Sequence, residues 1–322
     1  MERNGRSQAT AVWSLSDDKA GNRRQADALA RALGLGEPAC HTLAPRAPWR
    51  LVAPRRLPGS VNAFGQGFAR DLAQVPAVTI GCGRQAALAT RLVRARGGRT
   101  VQVLDPRIDP MLWDLLVVPE HDRLRGPNVL TVFGSLHPVD DAWLAQARAR
   151  FAAFATLPQP RIALLLGGIS RHFDFDRQGF DALADAIERM LVRDGGSLLA
   201  TVSRRTPPAF GAVLRARFAH LPGVVWRGDV DGDNPYPGML AWADRIVCTP
   251  DSVNLLSEAC ATEAPVQVFA PDEVRGRVRR FVDALLARGR AQPLGAGWPV
   301  VPCTPLRETG RIATEVRARL AL

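Results

Sequence analysis

Asp251, Ser252, Asn254 and Glu258 interrupt the stretch TPDSVNLLSEACATEAPVQVF, Thr249–Phe269, which otherwise reads as apolar strand, turn, short helix and apolar strand. Asp251 or Ser252 can cap a helix running to Ala261, but a cap accounts for one polar residue and not for a row of them. Asn254 and Glu258 stand four positions apart and share a helix face. A carboxylate there can accept both hydroxyls of a ribose, while Ser252 and the helix start take phosphate. The row suits a grip on a sugar nucleotide. Ser203-Arg204-Arg205-Thr206 has matching chemistry, because guanidiniums flanked by hydroxyls directly after an apolar run can fork onto the oxygens of a diphosphate. Gly167-Gly168 follows another such run and lets the backbone come close to a ligand.

Groups suited to proton transfer lie in the first half. Pro119-Glu120-His121-Asp122 and Gly134-Ser135-Leu136-His137 each follow an apolar run and carry two of the 5 histidines. A carboxylate beside a histidine holds one tautomer and raises its basicity, which abstraction of a sugar-hydroxyl proton requires. A surface turn with a local ion pair is the competing account of both histidines. A helix start after Pro138 accounts equally well for His137. Upstream, Ser16-Asp17-Asp18-Lys19-Ala20-Gly21-Asn22 leads into a helix expected from Arg23 to Leu33. That turn is either an anion or sugar site or an N-cap whose Asp favours the helix dipole.

Gly81-Cys82-Gly83-Arg84-Gln85-Ala86, with Asp105 closing the next run, matches the dinucleotide pattern G-x-G-x-x-A plus a distant acid. It supports an alternative function, an NAD(P)-dependent oxidoreductase or sugar-nucleotide epimerase. Against it, Pro106 follows Asp105 directly, and a glycine turn for close helix–strand packing explains the same residues. Asp229-Val230-Asp231-Gly232-Asp233-Asn234 invites a calcium reading but fails it, since Asn234 replaces the loop glycine and Leu240 the closing glutamate. No metal site is expected.

These residues need elements that bring them together. The apolar runs are Ala11–Leu15, Val78–Ile80, Val101–Leu104, Leu115–Val118 and Val129–Val132, then Ile162–Leu166, Leu198–Val202, Val224–Trp226, Ile246–Cys248 and Val266–Phe269. Unalternated strands separated by helix-patterned stretches predict parallel sheets covered on both faces. Ligands in such sheets bind beyond the carboxyl ends of the strands, where the polar residues above all fall. The pattern restarts after Pro158-Gln159-Pro160, which ends a helix expected over Asp140–Leu157. The expectation is two doubly wound, Rossmann-like α/β domains facing a cleft, residues 1–157 and 158–322. Ala44–Pro58, rich in Pro and Arg, reads as a loop.

Composition is compatible with this plan. The chain has 322 residues, 47% hydrophobic and 23% charged, enough for two cores. Its net charge of +11 comes from scattered arginines, with Lys19 the one lysine, so no specific nucleic-acid partner is expected and acidic ligands are. The 5 cysteines form no CxxC pair and have no His at zinc-ligand spacing, so neither a disulfide scaffold nor a zinc module is indicated. Met1–Leu15 lacks a signal-peptide core and no run reaches membrane-span length, so a cytoplasmic protein is expected, with peripheral contact at the inner membrane left open.

The sequence also resembles a known family. GNRRQ at Gly21–Gln25, GCGR at Gly81–Arg84, PEHD at Pro119–Asp122, GSLH at Gly134–His137, SRRTP at Ser203–Pro207, NPY at Asn234–Tyr236 and DSVNLLSEA at Asp251–Ala259 run in the order seen in the mitochondrial-fission "elongated mitochondria" family. That family is mostly bacterial and is described as glycosyltransferases. Lys19-Ala20, Arg23-Arg24 and Pro250 depart from its usual pattern. The resemblance implies a GT-B-like fold with a closing helix, Pro305–Leu322, returning to the first domain. It implies a nucleotide-sugar held by the second domain with no cofactor and no metal, through Gly167, Gly168, Ser203, Arg204, Arg205, Thr206, Asp251, Ser252, Asn254 and Glu258. The acceptor, a cell-envelope glycan or lipid-linked molecule, falls to the first domain and the loops with Lys19, Gly21, Asn22, Gly81, Gly83 and Arg84. His121, Asp122 and His137 are the catalytic candidates. A non-catalytic adaptor retaining the fold is the third possibility.

Overall fold

Runs of Val, Ile and Leu without polar alternation become strands covered on both faces, and Leu115–Pro119 and Arg161–Leu166 are buried at every position. The computed structural model describes residues 11–299 and 302–322; the Met1–Thr10 stretch considered above for a targeting signal lies outside them. Two compact units divide the chain, one ending at Pro138 and resuming over Glu308–Leu322, the other spanning Val139–Arg307.

Unit 1 runs β1 (Val12–Ser16), α1 (Ala20–Ala32), β2 (Ala39–Thr42), α2 (Trp49–Val52), α3 (Gly65–Asp71), β3 (Val78–Cys82), α4 (Arg84–Arg94), β4 (Arg99–Val103), β5 (Leu115–Pro119) and β6 (Val129–Val132). Its six-stranded sheet has the order β2-β1-β3-β4-β5-β6, parallel throughout. Unit 2 runs α5 (Asp141–Arg150), β7 (Arg161–Leu166), α6 (Arg177–Asp194), β8 (Ser197–Val202), α7 (Pro208–Arg217), β9 (Gly223–Trp226), α8 (Tyr236–Trp242), β10 (Arg245–Cys248), α9 (Val253–Cys260), β11 (Val266–Val268), α10 (Gly276–Ala287) and β12 (Ala291–Pro293). Its sheet, also six-stranded and parallel, is ordered β12-β11-β10-β7-β8-β9. The final helix, α11 (Thr309–Leu320), packs on α1 in unit 1 and buries Ile312, Ala313 and Val316 in that core.

Each apolar run of the sequence is a strand. Missing from the expectation are β2 and β12, edge strands too short and too polar to register as apolar runs. The expected boundary at 157/158 moves to 138/139 because α5 packs against α8, with Arg148 Nε donating to the Ala241 carbonyl at 2.9 Å. The single helix expected over Asp140–Leu157 ends at Arg150 and becomes a 3-10 turn over Ala152–Thr156. Phe151 leaves the helical conformation there and its ring lies on Gly238, where an added Cβ would come within 2.5 Å of Cγ. Ala44–Pro58 contains the one-turn helix α2 rather than loop alone.

An ion pair between a buried arginine and a half-buried aspartate joins the amino ends of β7 and β10. Arg161, 8% exposed in its side chain, donates from its backbone N–H and Nε to Asp244 Oδ2 at 2.7 and 3.0 Å and from Nη2 to Oδ1 at 3.1 Å, and stacks 5.2 Å over the Trp242 ring. Removing one partner strands the other charge. Asp244→Ala is expected to lower the urea-unfolding stability of unit 2 by about 3 kcal/mol, read from tryptophan fluorescence, and Asp244→Asn by less. Equal stability of wild type and Asp244→Ala would show the pair to be dispensable.

Candidate functional site

The strand order of unit 2 reverses between β7 and β10, since the chain runs outward from β7 to β8 and β9 and then returns to place β10 on the other side. In doubly wound sheets, ligands bind at the carboxyl ends beside such a reversal. Gly167 and Gly168 lie there after β7, Thr249 to Ser252 after β10, and Ser203 to Thr206 after the neighbouring β8.

Asp251 draws these segments together. Its fully buried carboxylate accepts the Thr249 hydroxyl at 2.7 Å through Oδ1, and the Gly168 N–H at 3.1 Å and Arg205 Nη2 at 2.6 Å through Oδ2. Thr249 Oγ1 in turn accepts the Gly167 N–H at 2.7 Å. Ser203 Oγ donates to the Gly167 carbonyl at 2.8 Å, the Thr206 hydroxyl donates to the same oxygen, and Thr206 Oγ1 accepts the Ser203 N–H at 3.0 Å. Both glycines are sterically required: a Cβ on Gly167 would stand 1.9 Å from Asp251 Oδ1, and one on Gly168 would stand 2.3 Å from the Arg205 carbonyl.

Other donor-side candidates differ in detail from the expectation. Ser252, not Asp251, caps α9, its Oγ accepting the Leu255 N–H at 3.4 Å. Arg204 and Arg205 are not an equivalent pair, because Arg205 is held by Asp251 while Arg204 is exposed. Arg205 remains 44% exposed in its side chain, so it can present further N–H groups to an anion. Asn254 is half-buried on α9. Glu258 is 2% exposed rather than solvated, and its Oε2 accepts the Tyr236 hydroxyl at 2.6 Å. Tyr236, the one tyrosine of the chain, was not among the site residues sequence reasoning selected; Asn234 Oδ1 accepts its N–H at 3.0 Å at the start of α8. Asp231 of the acidic loop is engaged by Arg227 and Arg215, the Arg227 hydrogen bond first among the causes that hold its carboxyl well below the usual range. The described residues contain no group of three His, Cys, Asp or Glu arranged for a metal. Burial raises the thiols of Cys248 and Cys260, the latter to about 11 despite nearby Arg290, so both stay protonated and non-nucleophilic near neutrality.

Unit 1 has its own reversal, between β1 and β3. Asp17 Oδ1 accepts Asn22 Nδ2 at 2.8 Å and the Lys19 N–H at 3.2 Å, with Lys19 Nζ 3.6 Å from Oδ2. α1 starts at Ala20, so Gly21 and Asn22 belong to its first turn and not to a loop. Gly83, at φ 89°, faces Asn22 so closely that a Cβ would fall 2.4 Å from Nδ2. Gly81 serves packing, since its Cβ would meet Thr90 Cγ2 at 2.5 Å. Arg84 Nη2 donates to the Arg50 carbonyl at 3.2 Å. Asp105 is taken up locally by Arg107, whose N–H it accepts at 2.8 Å and whose guanidinium lies at 3.3 Å.

His121 is half-buried and Asp122 buried in the turn after β5. That turn is braced by Arg125, which donates to the Asp122 and Glu120 carbonyls at 2.7 and 2.9 Å. Nothing in so arginine-rich a sequence singles Arg125 out. His137 is 3% exposed, and its backbone N–H and carbonyl both bond the Thr309 hydroxyl, at 3.0 and 2.8 Å. It is a buried residue at the end of unit 1, not a surface turn.

The family model for mitochondrial fission ELM1 matches residues 20–320. The chain belongs to the mitochondrial fission ELM1 family. It is 29% identical over 297 residues to the mitochondrial fission protein ELM1 of Arabidopsis thaliana, a match covering 82% of this chain and 67% of the relative. Among solved structures it is similar to the UDP-GlcNAc 2-epimerase from Methanocaldococcus jannaschii, at 13% identity and a TM-score of 0.53, over 95% of this chain and 99% of that one. It is also similar to MurG of Acinetobacter baumannii, at 15% identity and a TM-score of 0.48, over 96% and 92%. At such identities the likeness is one of fold, and this ELM1-family chain has the GT-B-like class of paired Rossmann-like α/β units.

In this ELM1-family protein, Asp251→Ala would leave the Gly168 N–H, the Thr249 hydroxyl and Arg205 without their shared acceptor. The expected cost is about 3 kcal/mol in chemical denaturation, with Asp251→Asn intermediate. An unchanged midpoint for Asp251→Ala would mean that water replaces the carboxylate at no cost.

Proposed function

We propose that the protein is a glycosyltransferase, moving a sugar from a nucleotide-sugar donor to a hydroxyl of a cell-envelope glycan or lipid-linked acceptor. The observation that carries this reading is the polar cluster at the β7/β10 reversal, where Gly167, Gly168, Arg205, Asp251 and the Ser252-capped start of α9 converge. A helix start and a partly exposed guanidinium, beside a glycine turn that lets a ligand approach the backbone, form the surroundings a diphosphate requires. Arg204 and Arg205 neutralise the leaving diphosphate in place of a metal. Glu258, its rotamer set by Tyr236, orients the ribose. On the acceptor side, His121 beside Asp122 takes the hydroxyl proton. The acceptor oxygen then bonds to the anomeric carbon as the sugar–diphosphate bond breaks, and the diphosphate leaves with the electron pair. Lys19, Asn22 and Arg84 line the acceptor side in unit 1. Engagement of Asp105 by Arg107 weighs against the dinucleotide-dependent oxidoreductase or epimerase alternative, which needs that carboxylate for a ribose.

The reading is tested first by ligand choice. Nucleoside diphosphates and their sugars are expected to raise the thermal midpoint more than NAD or NADP do. Stabilisation by NAD alone would transfer the assignment to the Gly81–Ala86 turn. With a nucleotide identified, Glu258→Gln is expected to weaken its binding by about 1.5–3 kcal/mol in calorimetry. Glutamine is the informative substitution, because buried Glu258 also packs the fold.

Catalysis supplies a separate test. His121→Ala is expected to lower kcat by about 10²–10⁴-fold while donor affinity stays nearly constant. If His137→Ala abolishes turnover and His121→Ala does not, the base is His137; a working transferase indifferent to both excludes histidine as the base.

A further inference from the structure

From Pro38 to Arg70 the sequence contains no Asp or Glu, yet it carries Arg46, Arg50, Arg55, Arg56 and Arg70. The middle of this segment folds back on itself. Trp49 Nε1 donates to the Pro58 carbonyl at 3.4 Å, while Ser60 Oγ accepts the Leu57 N–H at 2.8 Å and donates to the Leu57 carbonyl at 2.6 Å. Its inner side is fixed to the unit 1 core: Ala53 packs with Ala63 and Leu88, Arg91 Nη1 donates to the Pro54 carbonyl at 2.7 Å, and Gln85 Nε2 donates to the Arg50 carbonyl at 3.3 Å. Its outer side is different. Leu51 is 67% exposed and Leu57 38%, interleaved with exposed Arg50, Arg55 and Arg56.

The side chains of Arg46, Arg50, Arg55 and Arg56 form no ion pair or hydrogen bond among the described residues. Several exposed arginines elsewhere in the chain have an acid beside them, as in Arg177 with Asp181 or Arg319 with Glu315. The loop therefore presents uncompensated guanidiniums and bare aliphatic side chains on a rigidly anchored mount. Guanidiniums fork onto phosphate oxygens, and leucines gain by leaving water for the boundary between head groups and acyl chains. A nucleic acid would satisfy the arginines but not the leucines, and Trp49, the one aromatic residue of the loop, is half-buried against the Ala53, Ala63 and Leu88 cluster.

We propose that the loop Arg46–Leu57 of unit 1 docks on the surface of an anionic phospholipid bilayer. The contact is peripheral, since no helix among the described residues is long and apolar enough to cross a membrane. It does not depend on the glycosyltransferase reading. An enzyme acting on a lipid-linked acceptor would gain from it, because docking places unit 1 at the surface that holds the acceptor.

The test is co-sedimentation of the full chain with phosphatidylcholine vesicles, with and without about a quarter phosphatidylglycerol. Wild type is expected to partition at least roughly tenfold more strongly onto the anionic vesicles and to be released by high salt. The triple variant Arg50→Gln, Arg55→Gln, Arg56→Gln is expected to lose roughly fivefold per arginine, about a hundredfold in all. Leu51→Ser with Leu57→Ser should lose about tenfold, and its residual binding should be more salt-sensitive. All these side chains are exposed, and unchanged melting curves check the fold. Lack of preference for anionic vesicles, or variants that bind like wild type, would overturn the proposal. So would polyuridylate binding as tight as vesicle binding with no effect of the leucine changes, which would identify a general polyanion surface.

Discussion

The carboxylate of Asp251 is the constraint on which the candidate site depends. A buried charge is tolerated only where hydrogen bonds and an opposite charge replace its hydration, and Asp251 receives both from three separate segments: the Gly168 N–H after β7, Arg205 after β8 and the Thr249 hydroxyl after β10. The arrangement leaves no room for a side chain at Gly167 or Gly168. Strand ends that would otherwise be mobile loops are thereby locked into one geometry. With Asp251 holding it, the partly exposed Arg205 guanidinium can present its remaining N–H groups to an anion without first losing conformational freedom.

Charge in the rest of the molecule follows the same local logic. The net charge of +11 suggests a basic field, but many arginines are matched one acid at a time. Asp194, hydrogen-bonded by Arg193 and Arg245, has its carboxyl pulled down to about 2. Arg161 and Asp244 join strand starts, and Arg217 bridges Asp185 and Glu188 on α6. The excess is thus uneven. Leu72–Leu104 and Pro38–Arg70 each carry five arginines and no Asp or Glu, and in the second the arginines stand beside exposed leucines.

The two units use the doubly wound plan with different strand orders, which places a reversal at β1/β3 in one and at β7/β10 in the other. Each reversal gathers a glycine turn and a carboxylate: Gly83 with Asp17 in unit 1, Gly167 and Gly168 with Asp251 in unit 2. Asp17 orders the first turn of α1 through Asn22 and the Lys19 backbone, whereas Asp251 ties separate strand ends together and holds an arginine. This difference is why anion binding is assigned to unit 2 and acceptor positioning to unit 1 in the proposed reaction.

The strands, their parallel class and the two-unit plan were legible in the sequence, because short Val-, Ile- and Leu-rich runs bounded by Gly, Pro and polar turns fit strands buried on both faces better than helices. The location of polar residues at the carboxyl ends of those runs was legible for the same reason. What the sequence could not decide was which polar groups compensate one another. Arg205 and Asp251 are far apart in the chain and meet only because β8 and β10 both flank β7. Glu258 sits on an apparently open helix face until Tyr236 arrives from the start of α8 to cover it. The unit boundary was likewise set by tertiary packing of α5 on α8, not by the proline break that ends the same segment. Periodicity reports burial against neighbours close in sequence, whereas hydrogen-bond partners and unit membership are decided by long-range topology.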